Sequence, residues 1–231
     1  MGNANLKNME KTENIVALCD IDWKYAKNCF EEFPDAKRYW DWRKMFDELG
    51  DQIDGVMVAT PDHTHATIAA TALTMGKHVY CQKPLTHSVY ESRLLTKLAA
   101  KYKVATQMGN QGHNIEGTMQ TVEWIQGGVI GDVREVHLWT NRPMWRQGYF
   151  DRPAGVDIPS NLNYDVWLGP APDKPYNPEM PHFAWRGLWD YGTGAMGDMG
   201  AHTFDAPIWA LNLGMPTKIQ ATSTPYNKDY L

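Results

Sequence analysis

The sequence predicts an α/β fold whose first half is a parallel sheet, and two observations point to this class. Short apolar runs alternate with helical patterns over residues 14–108, at the spacing of βαβ units. Residues 55–60 form a continuous apolar run, which is typical of a strand buried on both faces of a parallel sheet. Beyond residue 113 prolines and aromatic residues become frequent. We therefore predict two domains, over residues 1–113 and 114–231.

The elements of the first half follow from periodicity and capping signals. Strands are predicted over residues 14–19, 55–60, 79–81 and 104–108, with helices over residues 23–33, 64–75 and 88–102. Ser88 and Glu91 have the spacing of a capping box. Because residues 1–6 open directly into a helical pattern, the first strand of the sheet is expected to be missing.

The second half is predicted to contain fewer regular elements. We expect a helix over residues 117–125, strands over 133–140 and 218–224, and a loop-rich segment over 143–181. Farther along, a helix would place Asp198, His202 and Asp205 on one face, because they stand four and three residues apart. Pro207 should bend that helix, since proline has no backbone N–H.

The composition excludes several classes of protein. The 231 residues are 43% hydrophobic and 21% charged, as in an ordinary soluble globular protein. A net charge of −5 argues against a nucleic-acid partner, and no apolar run approaches the roughly 18–20 residues that cross a bilayer. Three cysteines form no disulfide framework, which favours a reducing, cytoplasmic location. Export to the periplasm would require a signal preceding Met1.

Aromatic residues are unusually frequent, with ten tryptophans and eleven tyrosines that crowd between residues 139 and 209. Aromatic side chains can stack on carbohydrates, but they also fill hydrophobic cores. We favour the core interpretation for most of them.

Asp20 directly follows a predicted strand. A carboxylate at this point, about 20 residues after a glycine-rich turn, can accept hydrogen bonds from an adenosine ribose. Gly2 lies eighteen residues upstream and could be the last glycine of such a turn. A carboxylate here disfavours a 2′-phosphate, so NAD would be preferred over NADP. The alternative is that Asp20 only caps the next helix.

Polar residues also cluster after the second apolar strand, where Asp62, His63 and His65 begin a helix. Asp62 or Thr64 could cap this helix while the histidines pack beside it. Alternatively, the backbone amides face a cofactor. A metal site is less favoured, because a closed site would need a further ligand.

Two positions have the character of acid–base groups. Lys83 stands at the end of a buried strand, before the rigid Pro84, where desolvation favours a neutral amine. Asp198 and His202 follow a glycine-rich approach, and carboxylates could orient this histidine for proton transfer. The alternative for the second group is a solvated helix face.

Three motifs in this order resemble the Gfo/Idh/MocA family of NAD(P)-dependent oxidoreductases. They are the runs 59–65 (ATPDHTH), 82–84 (QKP) and 197–205 (GDMGAHTFD). The resemblance implies a Rossmann domain followed by an α/β domain with a large open, mainly antiparallel sheet that often mediates homo-oligomers. Here the Rossmann sheet would lack its first strand, and the second domain would be incomplete.

The resemblance also implies roles for individual residues in chemistry. Lys83 would contact both the nicotinamide ribose and the substrate hydroxyl. His202 would take or return the hydroxyl proton, and Asp198 would lie on the substrate side one turn earlier. Gln82 departs from the family's usual glutamate, which removes a charge beside Lys83.

Cofactor contacts are implied at five further positions. Asp20 matches the ribose-binding acid and Gly2 the final glycine of the phosphate loop. Thr60, Pro61 and His65 match the segment that lines the cofactor, and no metal is implied.

The function expected from these features is hydride transfer between NAD and a secondary alcohol of a sugar or polyol. One alternative is a redox-neutral glycosidase or lyase that acts through a transient keto-sugar. Others are a non-catalytic binding protein on the same scaffold and, more distantly, a metal-dependent hydrolase using Asp198, His202 and Asp205.

Overall fold

A computed structural model describes residues 2–142, 144–146 and 151–228. These residues form five β-strands, all in the first half: β1 (Ala17–Cys19), β2 (Lys37–Tyr39), β3 (Gly55–Val58), β4 (His78–Gln82) and β5 (Thr106–Gly109). The helices between them are α1 (Gly2–Met9), α2 (Lys27–Glu32), α3 (Trp42–Leu49), α4 (Asp62–Thr74) and α5 (Val89–Tyr102). The second half contributes α6 (Glu116–Gln126), α7 (Tyr164–Leu168), α8 (Gly194–Thr203) and α9 (Asp205–Ala210).

The strands form two parallel sheets, so the predicted α/β class is confirmed. β1 pairs with β2, and β3, β4 and β5 pair in that order. Sequence analysis missed β2, because three residues with an exposed Lys37 and Arg38 give no apolar run. The apolar run at 55–60 is less buried than predicted, since Gly55 is exposed and only Val58 is fully buried.

A single apolar core lies between the sheets and their helices. Its centre is α4, where Ala72 and Leu73 are 0% and 1% exposed. Residues from both sheets and from α3 pack on it, including Tyr39, Phe46 and Val58. This burial explains why α4 forms, since its apolar positions recur at helical spacing. An apolar cavity of about 220 Å³ lies between Leu73, α5 and strands β4 and β5.

Local signals fix the ends of α5. Ser88 accepts a hydrogen bond from the backbone N–H of Glu91, while the Glu91 carboxylate accepts one from the N–H of Ser88. The predicted capping box is therefore confirmed. Lys103 ends the helix in the left-handed region, with φ of 55°.

The predicted strands over residues 133–140 and 218–224 are wrong. Within residues 114–142, 144–146 and 151–228, the structure forms no named strand, and Trp139 and Ile219 are 83% and 84% exposed. The one β-bridge here joins Leu162 to Asp22. A strand is stable only when a neighbour pairs with its backbone, and apolar periodicity does not supply that neighbour. The large antiparallel sheet is thus not found among the described residues, and oligomerisation through it stays a prediction.

Five of the seven aromatic residues between 160 and 191 instead pack in a second core, as favoured from sequence, while Phe183 and Trp189 are 43% and 55% exposed. Trp167 and Tyr191 are 3% and 0% exposed, and their ring centroids lie 4.6 Å apart. Trp185 and Leu188 complete this aromatic core. Residues 143 and 147–150 of the predicted loop lie outside the described residues.

The predicted bend at Pro207 takes the form of a break between α8 and α9 at Phe204. Pro207 has no N–H to donate to the Thr203 carbonyl, so the helical ladder is interrupted there. Among the described residues, no helix is long and apolar enough to cross a membrane.

Candidate functional site

Lys83 directly follows β4, and its side chain is held by Asp198, which lies 115 positions later in the sequence. Its ammonium donates to the Asp198 carboxylate oxygen Oδ1 at 2.8 Å and to the Asp198 carbonyl at 2.7 Å. The side chains of Lys83 and Asp198 are 5% and 10% exposed. The ion pair therefore joins the sheet edge to α8, and the carboxylate compensates a buried ammonium charge.

Arg186 is the second cation at this point. Its Nε lies 3.3 Å from the same Asp198 Oδ1. Burial acts to raise the pKa of Asp198, but the hydrogen bond and charge of Lys83, followed by those of Arg186, hold it below its ordinary value. Asp198 is thus ionised between two cations, and both lie in reach of one oxygen.

Asp62 is a second carboxylate at the same cleft. The Thr193 hydroxyl donates to its Oδ2 at 2.7 Å, and burial raises the pKa of Asp62 to about 6. Together with Lys83, Arg186 and Asp198 it lines a cleft of about 30 Å³, which is the scale of one or two water molecules. The sequence placed Asp62 only as a helix cap or cofactor neighbour.

Both histidines after β3 are buried and contact backbone carbonyls. His63 lies 2.8 Å from the Trp167 carbonyl and 3.2 Å from that of Tyr191, so it ties α4 to the aromatic core. Burial lowers its pKa to about 4. The two ring nitrogens of His65 each lie 2.8 Å from a carbonyl, those of Thr60 and Pro84. His65 thus links the loops after β3 and β4, and burial lowers its pKa.

His202 stands one turn beyond Asp198 on α8, and the two residues share a face. Its Nδ1 lies 3.1 Å from the Gln111 carbonyl in the loop after β5. A carbonyl only accepts, so Nδ1 carries the proton in the neutral ring and Nε2 holds the lone pair. Asp198 does not contact His202 in the way predicted, because Lys83 and Arg186 occupy its carboxylate.

Asp205 follows the break between α8 and α9 and has a different partner. Its Oδ2 lies 2.8 Å from Nδ1 of His113. Asp198, His202 and Asp205 therefore each face a separate group. Among residues 2–142, 144–146 and 151–228, no three histidine, cysteine or acidic side chains are arranged to hold a metal ion.

The predicted cofactor residues lie along the carboxyl edge of the strands. Asp20 follows β1, where its Oδ1 accepts the Asp22 N–H at 2.9 Å; burial raises its pKa. Thr60 and Pro61 follow β3, and Thr60 is exposed. Gly2 begins α1 and lies beside Ala59: a Cβ added to Gly2 would be 3.6 Å from the Cβ of Ala59. In open parallel sheets this edge is where dinucleotides bind.

Two buried polar atoms at this edge fit a polar ligand. Gln82 Oε1 at the end of β4 and Asn110 Oδ1 after β5 find no hydrogen-bond partner among the described residues. Buried acceptors of this kind are rare in folded proteins unless a ligand or water pairs them. The residues present therefore fit a dinucleotide whose polar groups extend along the edge.

Sequence reasoning did not select Arg186, which lies in the short 3-10 turn Ala184–Gly187. An arginine in an irregular aromatic segment has no spacing that relates it to Lys83. Thr193 was missed for the same reason, although the glycines around it marked a close approach of backbone.

Comparison with known proteins identifies the family. Residues 2–110 match the profile described as an oxidoreductase family, NAD-binding Rossmann fold, and residues 139–229 match its C-terminal alpha/beta domain. The chain belongs to the Gfo/Idh/MocA oxidoreductase family, and the predicted membership is confirmed.

Among curated relatives, the chain is 37% identical over 110 residues to an uncharacterized oxidoreductase of Bacillus subtilis, covering 45% of this chain and 28% of that protein. It is 26% identical over 142 residues to inositol 2-dehydrogenase of Salmonella typhimurium, covering 59% of this chain and 42% of the enzyme. The chain thus spans less than half of either relative.

Solved structures agree on the fold. An oxidoreductase domain protein of Kribbella flavida aligns with a TM-score of 0.57 at 24% identity, over 86% of this chain and 45% of that one. The WlbA dehydrogenase of Chromobacterium violaceum, solved with NADH and UDP-GlcNAcA, aligns with a TM-score of 0.59 at 19% identity, over 91% and 52%.

Proposed function

We propose that the protein transfers a hydride between NAD and a secondary alcohol of a sugar or polyol. The observation that carries this proposal is the buried contact of Lys83 with Asp198 at the carboxyl edge of the sheet. It brings the two sequence motifs together at the edge that binds dinucleotides. The similarity to inositol 2-dehydrogenase supports the substrate class.

Each residue has a distinct task in this proposal. Lys83 donates a hydrogen bond to the substrate oxygen and so stabilises the alkoxide that develops on it. His202 accepts the hydroxyl proton at Nε2, because Nδ1 is held by the Gln111 carbonyl. Asp198 orients Lys83. This role replaces the one predicted for Asp198 from sequence, in which its carboxylate oriented His202.

The remaining residues of the edge would hold the cofactor. Asp20 is proposed to bind the adenosine ribose and favour NAD over NADP. Gly2, Thr60, Pro61 and His65 are proposed to line the dinucleotide, with the ring of His65 donating to one of the two carbonyls beside it, those of Thr60 and Pro84. Bound NAD supplies the hydride acceptor, while the protein positions and polarises the alcohol.

Replacement of Lys83 tests the function directly. In this protein, Lys83→Ala should abolish NADH formation from a panel of sugars and polyols. The Kd of NAD, measured by calorimetry, should change little. The matched control is Lys77→Ala at the opposite end of β4, which should leave both quantities unchanged. Turnover that survives in Lys83→Ala would refute the mechanism.

The same assay separates the redox-neutral alternative. A glycosidase or lyase of this fold would release the aglycone from a glycoside without accumulating NADH. Trp167 and Tyr191 belong to the second core, whereas Trp139 and Trp189 are exposed. The aromatic residues therefore do not distinguish the two reactions, and dehydrogenation remains our proposal because the inositol dehydrogenase relative supports it.

A further inference from the structure

We propose that Arg186 is a positioning residue, which holds Asp198 while Lys83 donates to the substrate. This inference rests on the proposed function, because it supposes that Lys83 donates to the reacting oxygen. The structural part of the proposal is that Arg186 helps to keep Asp198 ionised beside Lys83, and this can be tested without a substrate.

The need for a second cation follows from the donors of Lys83. An ammonium has three N–H donors, and two of those on Lys83 go to the carboxylate and carbonyl of Asp198. The third donor is free for the substrate oxygen. As negative charge develops on that oxygen, the ammonium charge is shared between it and a carboxylate that is only 10% exposed. A buried carboxylate that loses part of its counter-charge is unfavourable, so a second cation on Asp198 stabilises this arrangement.

Arg186 is placed to be that cation. Its Nε points to Oδ1 of Asp198, the atom that Lys83 uses, at 3.3 Å. This distance is at the long end of the hydrogen-bond range, so Lys83 is the stronger partner in the present arrangement. Arg186 therefore remains beside Asp198 as a counter-charge when the charge of Lys83 is shared with the substrate.

The guanidinium of Arg186 is held independently of Lys83. Its Nη1 donates to the Phe183 carbonyl at 3.1 Å, and its central carbon lies 4.3 Å from the Trp185 ring centroid. A Cβ on Gly192 would lie 2.5 Å from the Arg186 carbonyl oxygen, so only glycine allows the segment before α8 to pack on this turn. Loss of the Lys83 contact would therefore leave Arg186 in place.

The charges of the cleft are balanced only when both cations are counted. Asp62 and Asp198 face Lys83 and Arg186, and these are the charged residues that line the cleft. Without Arg186, the two carboxylates would share the single charge of Lys83. We therefore expect Arg186 to determine whether Asp198 stays ionised during the reaction.

Nuclear magnetic resonance of the chain with ¹³C-labelled aspartate carboxyl groups tests the structural part. In Lys83→Met, Asp198 should stay ionised at neutral and mildly acidic pH, because Arg186 still neutralises it. In Lys83→Met/Arg186→Met its titration should move to clearly higher pH than in either single variant. Lys83→Met/Arg186→Lys should restore part of this shift, since a charge returns without the planar fork.

A matched control uses Arg146, whose pair with Glu179 lies on the surface. Adding Arg146→Met to Lys83→Met should not move the Asp198 titration. Should Arg186→Met fail to fold, Arg186→Gln keeps an N–H donor without the charge and should shift the titration in the same direction. Equal Asp198 titration in Lys83→Met and in the double variant that also removes the charge of Arg186, by Arg186→Met or Arg186→Gln, would overturn the proposal.

Steady-state kinetics of the protein test the other part of the proposal, the effect of Arg186 on turnover. Arg186→Met should lower kcat by about 10²-fold, the scale of a misplaced catalytic group, without changing the Kd of NAD. An unchanged kcat would refute the positioning role. If wild type oxidises no sugar or polyol, the proposed function fails and with it this role, whereas the Asp198 titration still decides whether Arg186 holds the carboxylate.

Discussion

The two halves of the chain satisfy their backbone groups in different ways. In the first half, the strands β1 to β5 pair with parallel neighbours and enclose one apolar core around α4. In the second half, the described residues contribute helices and an aromatic core, while residues such as Trp139 and Ile219 lie exposed outside regular secondary structure. The difference shows that a helix is complete in itself, whereas a strand depends on a neighbour.

The contacts that join the halves are mostly polar. Lys83 meets Asp198, Asp62 meets Thr193, and His63 meets the carbonyl of Trp167. Polar groups buried at a junction specify one arrangement because each unpaired group is costly. The candidate site is therefore also the point at which the two halves are fixed to each other.

The largest expected effect is a difference in the free energy of unfolding between a substitution in the apolar core of the first half and one at an exposed position of the second half. Leu73→Ala, at a position 1% exposed, should lower the free energy of unfolding by about 2–5 kcal/mol. Trp139→Ser, at a position 83% exposed, should change it by less than about 0.5 kcal/mol. Urea unfolding followed by circular dichroism measures both. A loss in Trp139→Ser comparable to that in Leu73→Ala would mean that the extended segment is packed.

Acidification should affect the junction through two opposed residues. The pKa of His63 is lowered to about 4, so its native state disfavours the proton and stability is lost as pH falls from about 6.5 to 4. The pKa of Asp62 is raised to about 6, so its contribution has the reverse sign and stability is gained as pH falls through this value. Each effect amounts to about 3 kcal/mol, and in the wild type they nearly cancel.

Single variants separate the two effects. Relative to wild type, Asp62→Asn should lose about 3 kcal/mol more between pH 6.5 and 4, and His63→Gln should lose correspondingly less. Urea unfolding at intervals of half a pH unit measures this. If both variants kept the wild-type pH profile, the burial of these groups would not govern their protonation.

The smallest expected effect belongs to a local signal of the first half. Ser88→Ala removes the hydrogen bond to the Glu91 N–H and should cost about 1 kcal/mol. Thermal unfolding monitors the loss, with Ser88→Asp as a control that retains a capping oxygen and should stay near wild type. An unchanged melting temperature in Ser88→Ala would show that tertiary contacts alone hold the start of α5.

Prediction from sequence succeeded where the signal is local. The helical periodicity of α4, the capping box of α5 and the interruption by Pro207 all act within a few residues, and the structure contains each of them. The four strands predicted in the first half all form, with ends that differ by up to three residues from those predicted. The short β2 was missed, and the two strands predicted in the second half do not form among the described residues.

By itself, the sequence determined the α/β class, the family and the strand-end position of Lys83. Periodicity, capping signals and motifs depend on residues that are close together in the sequence, so they can be identified without the structure. Only the tertiary structure decided the partners: Asp198 holds Lys83 and not His202, Arg186 shares that carboxylate, and His63 ties α4 to the aromatic core. The contacts of Lys83 with Asp198 and of His63 with Trp167 join residues about 100 positions apart in sequence, and burial gives them their strength. Neither the separation nor the burial can be read from one segment of chain.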